Sequence, residues 1–267
     1  MKQNEPRTNA MQAPRHVMIT GAAGAIGAAI ARAMRKSWPE ARLALLDREA
    51  MPALAAELGR ASIHGVDLRD VDGLPAAVAA IEREGGPLDG LVNCAGVMRV
   101  RALTTLAWED ARDLMTVDLL APLRLQDLVV RGLLARGDAG LVVNVASMAG
   151  KVPLKGCAYY GAAKAGLSMA SEIARSELAV HGIRVVTVYP GLVKSALEAG
   201  ARAGWGGGGV FNLVAPTGVA SELARLIVDA ITHDEPRVIY PRLYAIGWNA
   251  PNLARWFALS YGPPPTS

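Results

Sequence analysis

Three residues in the second half of this 267-residue chain have types and spacing that suit proton transfer. Tyr160 and Lys164 are four residues apart in a helical segment, so their side chains share one helix face. A phenol has an ordinary pKa of about 10, which a nearby ammonium group lowers. Such a phenol can donate a proton to a carbonyl or take one from an alcohol. Ser147, thirteen residues before Tyr160, adds a hydroxyl that can hydrogen-bond the oxygen of the same carbonyl or alcohol.

Tyr159 is the rival to Tyr160 as the proton-transfer residue. It is five residues before Lys164 and points about 100° around the helix from Tyr160. The spacing therefore favours Tyr160.

A glycine-rich turn near the N-terminus is typical of dinucleotide binding. It follows an apolar segment and opens a helical one, where glycines let the backbone approach a pyrophosphate that the helix N-terminus attracts. The candidate cofactor-contacting residues of the turn are Gly21, Ala23, Gly24, Ala25, Ile26 and Gly27. Asp47 follows 20 residues beyond Gly27 and can accept hydrogen bonds from ribose hydroxyls, which favours NAD. Arg48 could instead contact a 2′-phosphate, so NADP stays open.

The elements that must position these residues alternate between short apolar runs and longer amphipathic ones. This alternation predicts an α/β, single-domain Rossmann-type doubly wound fold, with a mostly seven-stranded parallel sheet flanked by helices. The predicted strands are His16–Thr20, Arg42–Leu46, Ser62–Val66, Leu88–Asn93, Gly140–Ala146, Ile183–Tyr189 and Arg237–Tyr240. The predicted helices are Ala25–Lys36, one ending at Leu58, Val71–Glu84, Trp108–Ala135, Ala158–His181 and Val219–Thr232.

Composition and charge exclude several classes of function. Hydrophobic residues make up 52% of the chain and charged residues 19%, which is enough apolar material for a large core. The net charge of +4 is scattered without a basic run, which argues against nucleic-acid binding. The four histidines are dispersed, so we expect no metal site. Two cysteines and no secretory signal predict a cytoplasmic protein with free thiols.

The order and spacing of these motifs resemble the classical short-chain dehydrogenase/reductase family. The likeness covers about Arg15 to Tyr240 and rests on the glycine-rich turn together with six further matches. These are Asp67-Leu68, Asn93-Cys94-Ala95-Gly96, Ser147, Tyr160, Lys164 and Pro190-Gly191.

The resemblance implies roles for the matched positions. Asp67 and Leu68 would contact the adenine, and Asn93, Ala95 and Gly96 would form the floor of the cofactor site. Pro190 and Gly191 would border the nicotinamide, with Val193 and Ser195 nearby; the Ser195 hydroxyl could reach the carboxamide. Ser147, Tyr160 and Lys164 would be catalytic. The family also implies a homodimer or homotetramer, formed through the long helices Trp108–Ala135 and Ala158–His181.

Two positions depart from the family pattern. Ala25 stands where a second glycine is usual, and Gly24 moves the spacing towards that of the family's extended members, which are longer. Asp118 stands where classical members have an Asn that holds a water in the proton relay. An ionised Asp only accepts hydrogen bonds. It could position Lys164 or the water, or it could disturb both.

Three segments lie outside this pattern. Residues 1–14 are predicted to be a disordered tail, and residues 15–240 the dinucleotide-binding and catalytic domain. Residues 192–216 correspond to a substrate lid, in which glycines permit hinge motion and Trp205, Val210 and Phe211 could line an apolar pocket. Residues 241–267 are predicted to be a C-terminal extension whose apolar and aromatic residues could form a short amphipathic helix. That helix would pack on the body or a partner, or else contact a membrane surface.

These features together predict an NAD(P)-dependent oxidoreductase that interconverts a secondary alcohol and a ketone. The apolar lid suggests a lipophilic small-molecule substrate, such as a steroid, a terpenoid or a fatty-acyl derivative. The alternatives are a 3-oxoacyl-thioester reductase and a non-catalytic dinucleotide-sensing or scaffold protein. Asp118 is the only residue that favours the non-catalytic alternative.

Overall fold

A seven-stranded parallel sheet forms the centre of the computed structural model, which describes residues 13–205 and 216–265. Its strands are β1 His16–Thr20, β2 Arg42–Asp47, β3 Ala61–Gly65, β4 Gly90–Asn93, β5 Gly140–Val145, β6 Ile183–Pro190 and β9 Arg237–Tyr240. The strand order is β3-β2-β1-β4-β5-β6-β9, so the chain winds outward in both directions from β1. This confirms the predicted doubly wound sheet. A second, two-stranded sheet pairs β7 Leu192–Val193 with β8 Thr217–Gly218.

Helices cover both faces of the large sheet. They are α1 Ala25–Ser37, α2 Pro52–Leu58, α3 Leu74–Gly85, α4 Trp108–Met115, α5 Ala121–Arg136, α6 Ala158–Leu178, α7 Ala196–Gly204 and α8 Ala220–His233. One core layer packs residues such as Ile19, Leu45 and Ile227 between the sheet, α1 and α8. The other packs Leu91 and Leu125 between the sheet, α3 and α5. Because both faces are covered, the strands are apolar along their length rather than alternating.

The helical stretch predicted from Trp108 to Ala135 is confirmed, but its hydrogen-bonding pattern changes in the middle. Residues Thr116–Leu120 form a π-helical turn between α4 and α5. Pro122 explains the change, since it has no N–H for the carbonyl of Asp118 and its ring would clash with that carbonyl in a regular helix. The sequence did not predict this turn, which contains Asp118.

Three segments lie at the margins of the packed body. Residues 1–12, most of the predicted tail, lie outside the described residues, whereas Pro14 is already buried. Of the predicted lid, β7, α7 and Trp205 are described, but Val210 and Phe211 are not. The C-terminal extension forms α9 Tyr244–Asn249 and α10 Pro251–Tyr261. None of the described helices is both long enough and apolar enough to span a membrane.

Candidate active site

A single cavity of about 980 Å³ runs along the carboxyl ends of the strands. It extends from the glycine-rich turn past Tyr160 and Lys164 to the C-terminal helices. Carboxyl ends at the point where strand order reverses are the usual ligand site of open α/β sheets. The predicted site residues that line the cavity are Gly21, Gly24, Ala25, Ile26, Gly27, Asp47, Arg48, Asp67, Leu68, Ala95, Gly96, Ser147, Tyr160, Lys164, Pro190, Gly191, Val193 and Ser195. Ala23, Asn93 and Asp118 are predicted site residues that do not line it.

The glycine-rich turn has the shape of a phosphate cradle. Gly21 adopts φ +68°, and a Cβ there would lie 2.6 Å from the Cα of Ala95. A Cβ on Gly27 would overlap the carbonyl oxygen of Gly21. Ala25, in contrast, is exposed at the first residue of α1, so its methyl group is tolerated where the family has glycine. The turn and the first amides of α1 therefore fit a pyrophosphate.

Asp47 is fixed at the end of β2, beside this turn. Its two carboxylate oxygens accept the backbone N–H groups of Ala23 at 3.0 Å and Glu49 at 3.2 Å. Ala23 therefore contributes by orienting Asp47 rather than by lining the cavity. A carboxylate has lone pairs beyond these two bonds, so Asp47 can still accept ribose hydroxyls. Arg48 is exposed at the cavity edge.

Asp67 and Leu68 lie at the predicted adenine end of the cavity. Asp67 is hydrogen-bonded by the Arg69 guanidinium, which lowers the pKa of the carboxyl to about 2. Arg69 also reaches Asp113 at 3.4 Å. Leu68 is buried in the core layer under α3. Asp67 is thus an ionised group at neutral pH, held by a neighbouring cation.

Asn93 supports the site from behind and does not touch the cavity. Its amide donates to the side chain of Asn144 at 2.8 Å and to the carbonyl of Pro122 at 3.1 Å. It thereby fixes the end of β4 against β5 and α5. The Thr20 hydroxyl accepts the backbone N–H of Ala95 at 3.1 Å, which places Ala95 and Gly96 beside the turn.

The far wall of the cofactor region follows β6. Gly191 packs so closely against Tyr244 that a Cβ would overlap its ring. The Ser195 hydroxyl accepts the N–H of Glu198 at 3.1 Å and donates to the carbonyl of Val193 at 3.0 Å. Ser195 therefore caps α7, an N-terminal role that its residue type favours.

Ser147, Tyr160 and Lys164 meet at the centre of the cavity. All three are buried, with exposures of 8%, 8% and 3%. Ser147 is fixed by a hydrogen bond to its hydroxyl from the N–H of Ala149 at 3.1 Å. Burial and the charge of Asp118 raise the pKa of Tyr160 above its ordinary value, while the Ser147 hydroxyl lowers it. The Lys164 ammonium lies 5.9 Å from the centre of the Tyr160 ring.

Asp118 lies behind Lys164, on the side away from the cavity. Its Oδ2 is 3.9 Å from the Lys164 Nζ, and its Oδ1 accepts the N–H of Val97 at 2.8 Å. Asp118 is completely buried, and burial raises the pKa of its carboxyl to about 6. The sequence placed Asp118 in the site but could not assign it a contact.

The substrate side of the cavity includes residues that the motifs did not predict. The C-terminal helices contribute Tyr244, Ile246, Leu253 and Phe257 to its wall. Their only signal in the sequence was the apolar, aromatic character of the extension. Trp205, from the predicted lid, is buried there and donates its indole N–H to the carbonyl of Lys155 at 3.0 Å.

Comparison with known proteins agrees with this geometry. The sequence model of the short chain dehydrogenase family matches residues 15–204. The chain belongs to this family, and it is an NAD(P)-dependent oxidoreductase that interconverts alcohols and ketones.

The relatives include dehydrogenases and reductases. The chain is 34% identical over 207 residues to a D-threitol dehydrogenase of Mycolicibacterium smegmatis, an alignment that covers 75% of this chain and 78% of that one. It is 32% identical over 183 residues to the ketoacyl reductase HetN of Nostoc, covering 66% and 63% of the two chains. A short-chain dehydrogenase from Sphingobium yanoikuyae in complex with NADPH superposes with a TM-score of 0.76. It is 28% identical, and the match covers 92% of this chain and 95% of that one.

Proposed function

We propose that Ser147, Tyr160 and Lys164 catalyse interconversion of a lipophilic secondary alcohol and its ketone. The observation that carries this proposal is the convergence of the three buried side chains between the glycine-rich turn and an apolar pocket. The bound nicotinamide would supply or accept the hydride at the substrate carbon.

The chain's own residues would handle the substrate oxygen. During reduction, the Tyr160 hydroxyl donates its proton to the carbonyl oxygen, and the Ser147 hydroxyl hydrogen-bonds the same oxygen as negative charge develops. During oxidation, the Tyr160 phenolate takes the proton of the alcohol. Lys164 supplies a positive charge that favours this phenolate.

We propose NAD as the preferred cofactor. Asp47 is held by Ala23 and Glu49 with its carboxylate beside the glycine-rich turn. There it can bind the ribose hydroxyls, and its charge would repel a 2′-phosphate. Arg48 is the neighbouring group that would permit NADP binding.

The wall of the substrate pocket supports a lipophilic substrate. Beyond Tyr160 it is formed mostly by apolar side chains, which include Met98, Leu154, Leu192, Trp205 and Phe257. Burying several hydroxyl groups against such a wall without hydrogen bonds is costly. The pocket therefore fits an apolar ketone better than a polyol, although relatives such as the D-threitol dehydrogenase are named for polyols.

A 3-oxoacyl thioester is the second candidate substrate. An apolar pocket also accepts an acyl chain, and one of the relatives is a ketoacyl reductase. A thioester carrier would have to enter at the exposed mouth, where Arg99 lies.

We also propose a cytoplasmic homodimer or homotetramer. The described cysteines, Cys94 and Cys157, are free, which suits a reducing compartment. On α6, Met169 and Ile173 are 59% and 50% exposed, as expected if this helix packs against a second copy. Light scattering coupled to gel filtration measures the oligomeric state, and a monomer at micromolar concentration would contradict this part.

The decisive experiment compares Tyr160→Phe with Tyr159→Phe. The fall in absorbance of the reduced nicotinamide measures turnover of medium-chain ketones, a four-carbon ketose and a 3-oxoacyl thioester. Each substrate is tested with NADH and with NADPH. Tyr160→Phe should lose more than about 100-fold in kcat while the Kd of the cofactor changes little. Tyr159→Phe should keep its turnover. Comparable turnover in both variants would refute the proposed role of Tyr160, and a preference for the ketose would refute the lipophilic substrate.

A further inference from the structure

Asp118 and Lys164 form a buried pair of opposite charges next to Tyr160. The Asp118 side chain is 0% exposed and the Lys164 side chain 4%, and Oδ2 lies 3.9 Å from Nζ. Lys164 also donates a hydrogen bond to the carbonyl of Val145 at 3.2 Å. Charges shielded from solvent interact more strongly than they would at the surface. The field at Tyr160 therefore comes from the pair and not from Lys164 alone.

The protein backbone fixes Asp118 in this position. The π-helical turn Thr116–Leu120 carries it, and the N–H of Val97 binds its Oδ1 at 2.8 Å. Within the described part of the chain, Oδ2 has no hydrogen-bond donor. A Cβ on Gly96 would lie 3.4 Å from both Asp118 Oδ1 and Lys164 Nζ, which places this glycine next to the pair. Lys164 is thus the group that compensates the Asp118 charge.

The pair has a direct consequence for the Tyr160 phenol. An ammonium alone favours the phenolate, but a carboxylate behind it opposes that effect. The charge of Asp118 raises the pKa of Tyr160 in the same direction as burial. The other groups that act on this phenol are the Ser147 hydroxyl and the Cys157 thiol. Burial raises the pKa of the Cys157 thiol to about 12, and it raises that of the Cys94 thiol to about 12 against the opposing charge of Lys164. Neither thiol is therefore charged near neutral pH.

We propose that Asp118 is a positioning residue that keeps Tyr160 protonated at neutral pH by compensating the charge of Lys164. The site is therefore set for carbonyl reduction at neutral pH, and alcohol oxidation reaches its full rate only in alkaline solution. This inference rests on the proposed function of Tyr160. In the reductive step the carbonyl carbon gains the hydride of the reduced nicotinamide. The carbonyl oxygen gains the Tyr160 proton, and the phenolate that remains is reprotonated from solvent.

Asp118→Asn tests the proposal because it removes the charge and keeps both the shape and the acceptor for Val97. The experiment measures kcat/KM against pH in both directions, with one ketone–alcohol pair. In the pH profile of kcat/KM for reduction, we expect the alkaline limb to lie about one pH unit lower in the variant than in the wild type. The limb of oxidation should move in the same direction by a similar amount, because the same phenol acts in both directions. Asp127→Asn removes a partly exposed carboxylate of α5, which is paired with Arg124 and Arg131, and should leave both limbs in place.

A spectroscopic titration provides a readout independent of turnover. Ultraviolet difference absorbance of tyrosinate is recorded in the complex with oxidised nicotinamide, and the Tyr160→Phe signal is subtracted to isolate Tyr160. The isolated phenol should titrate about one pH unit lower in Asp118→Asn than in the wild type. A purely structural role of Asp118 would lower kcat without moving this titration.

The outcomes separate the inference from the proposed function. Unchanged limbs and an unchanged titration in Asp118→Asn, with an inactive Tyr160→Phe, would overturn the inference alone. Full turnover in Tyr160→Phe would overturn the proposed function as well. If Asp118→Asn fails to fold, the spectroscopic titration of Tyr160 in the wild type without cofactor still tests the proposal. A Tyr160 phenolate that is already formed at neutral pH contradicts the proposal.

Discussion

The indole ring of Trp248 packs edge-on against the phenol ring of Tyr189, with ring centres 4.7 Å apart. Tyr189 is fully buried in β6, and its hydroxyl is bonded to Ser168 at 2.8 Å and to Glu172 at 2.7 Å. The Lys151 ammonium lies 4.9 Å from the Trp248 ring centre, and the Arg237 guanidinium 5.1 Å from it. Trp248 therefore anchors α9 to the sheet at the substrate side of the cavity.

We expect Trp248→Ala to loosen the C-terminal wall of the pocket without disturbing the cofactor region. Loss of the aromatic pair and the two cation–π contacts should cost about 2 kcal/mol of unfolding free energy. The KM for an apolar substrate should rise about tenfold, because α9 carries Tyr244 and Ile246 into the wall. Urea denaturation and steady-state kinetics measure the two effects.

Trp256→Ala is the matched control for this prediction. Trp256 belongs to the same C-terminal extension, but 57% of it is exposed. Its removal should leave both the stability and the KM close to wild type. If Trp248→Ala changes the Kd of the cofactor as much as the substrate KM, Trp248 does not act through the wall of the pocket.

Asp47→Ser should shift the cofactor preference from NAD towards NADP. The substitution removes a negative charge beside the ribose site and leaves Arg48 to attract a 2′-phosphate. We expect kcat/KM with NADP(H) relative to NAD(H) to rise about 10- to 100-fold, equivalent to roughly 1.4 to 2.7 kcal/mol. Parallel assays with both cofactors measure the ratio. Adding Arg48→Ala to Asp47→Ser should reverse part of the gain.

Glu40→Gln serves as the charge control for Asp47→Ser. The Glu40 side chain is 88% exposed, pairs with Arg60 and does not line the cavity, so its loss changes the net charge without removing a group of the cofactor site. An equal shift of cofactor preference in Glu40→Gln would show that overall charge, and not the position of Asp47, sets the preference.

The sheet and most of the cofactor region could be predicted because their signals are local. Most strands are dominated by apolar residues, and the glycine-rich turn is one short segment whose backbone shape requires residues such as Gly27. The long helical stretch Trp108–Ala135 was predicted, but the π-helical turn before Pro122 was missed, because apolar periodicity does not reveal a local change of hydrogen bonding within a helix. The anchoring of Trp248 was also missed. It joins residues from distant parts of the chain, Lys151, Tyr189 and Arg237, which no periodicity connects.

Asp118 should make the wild type lose stability relative to Asp118→Asn as the pH rises from 4 to 7. Burial raises the pKa of this carboxyl from 3.8 to about 6 in the folded protein. Below the unfolded pKa the carboxyl is protonated in both states and carries no penalty. As the pH rises through the folded pKa, the folded state loses stability because the unfolded chain ionises more readily. A shift of this size corresponds to a loss of at most about 3 kcal/mol.

Urea denaturation of both proteins at half-unit pH steps measures this difference. At pH 4 the difference in unfolding free energy between the two proteins reports the exchange of a carboxyl for an amide. The change of this difference between pH 4 and 7 isolates the ionisation of Asp118, because the other carboxylates are common to both proteins. Asp127→Asn should instead run nearly parallel to the wild type, since Asp127 is partly exposed between Arg124 and Arg131. The prediction is wrong if the difference in unfolding free energy between the two proteins stays constant with pH, or if the wild type becomes more stable relative to Asp118→Asn as the pH rises. Either result would show that Asp118 ionises in the folded protein as easily as in water.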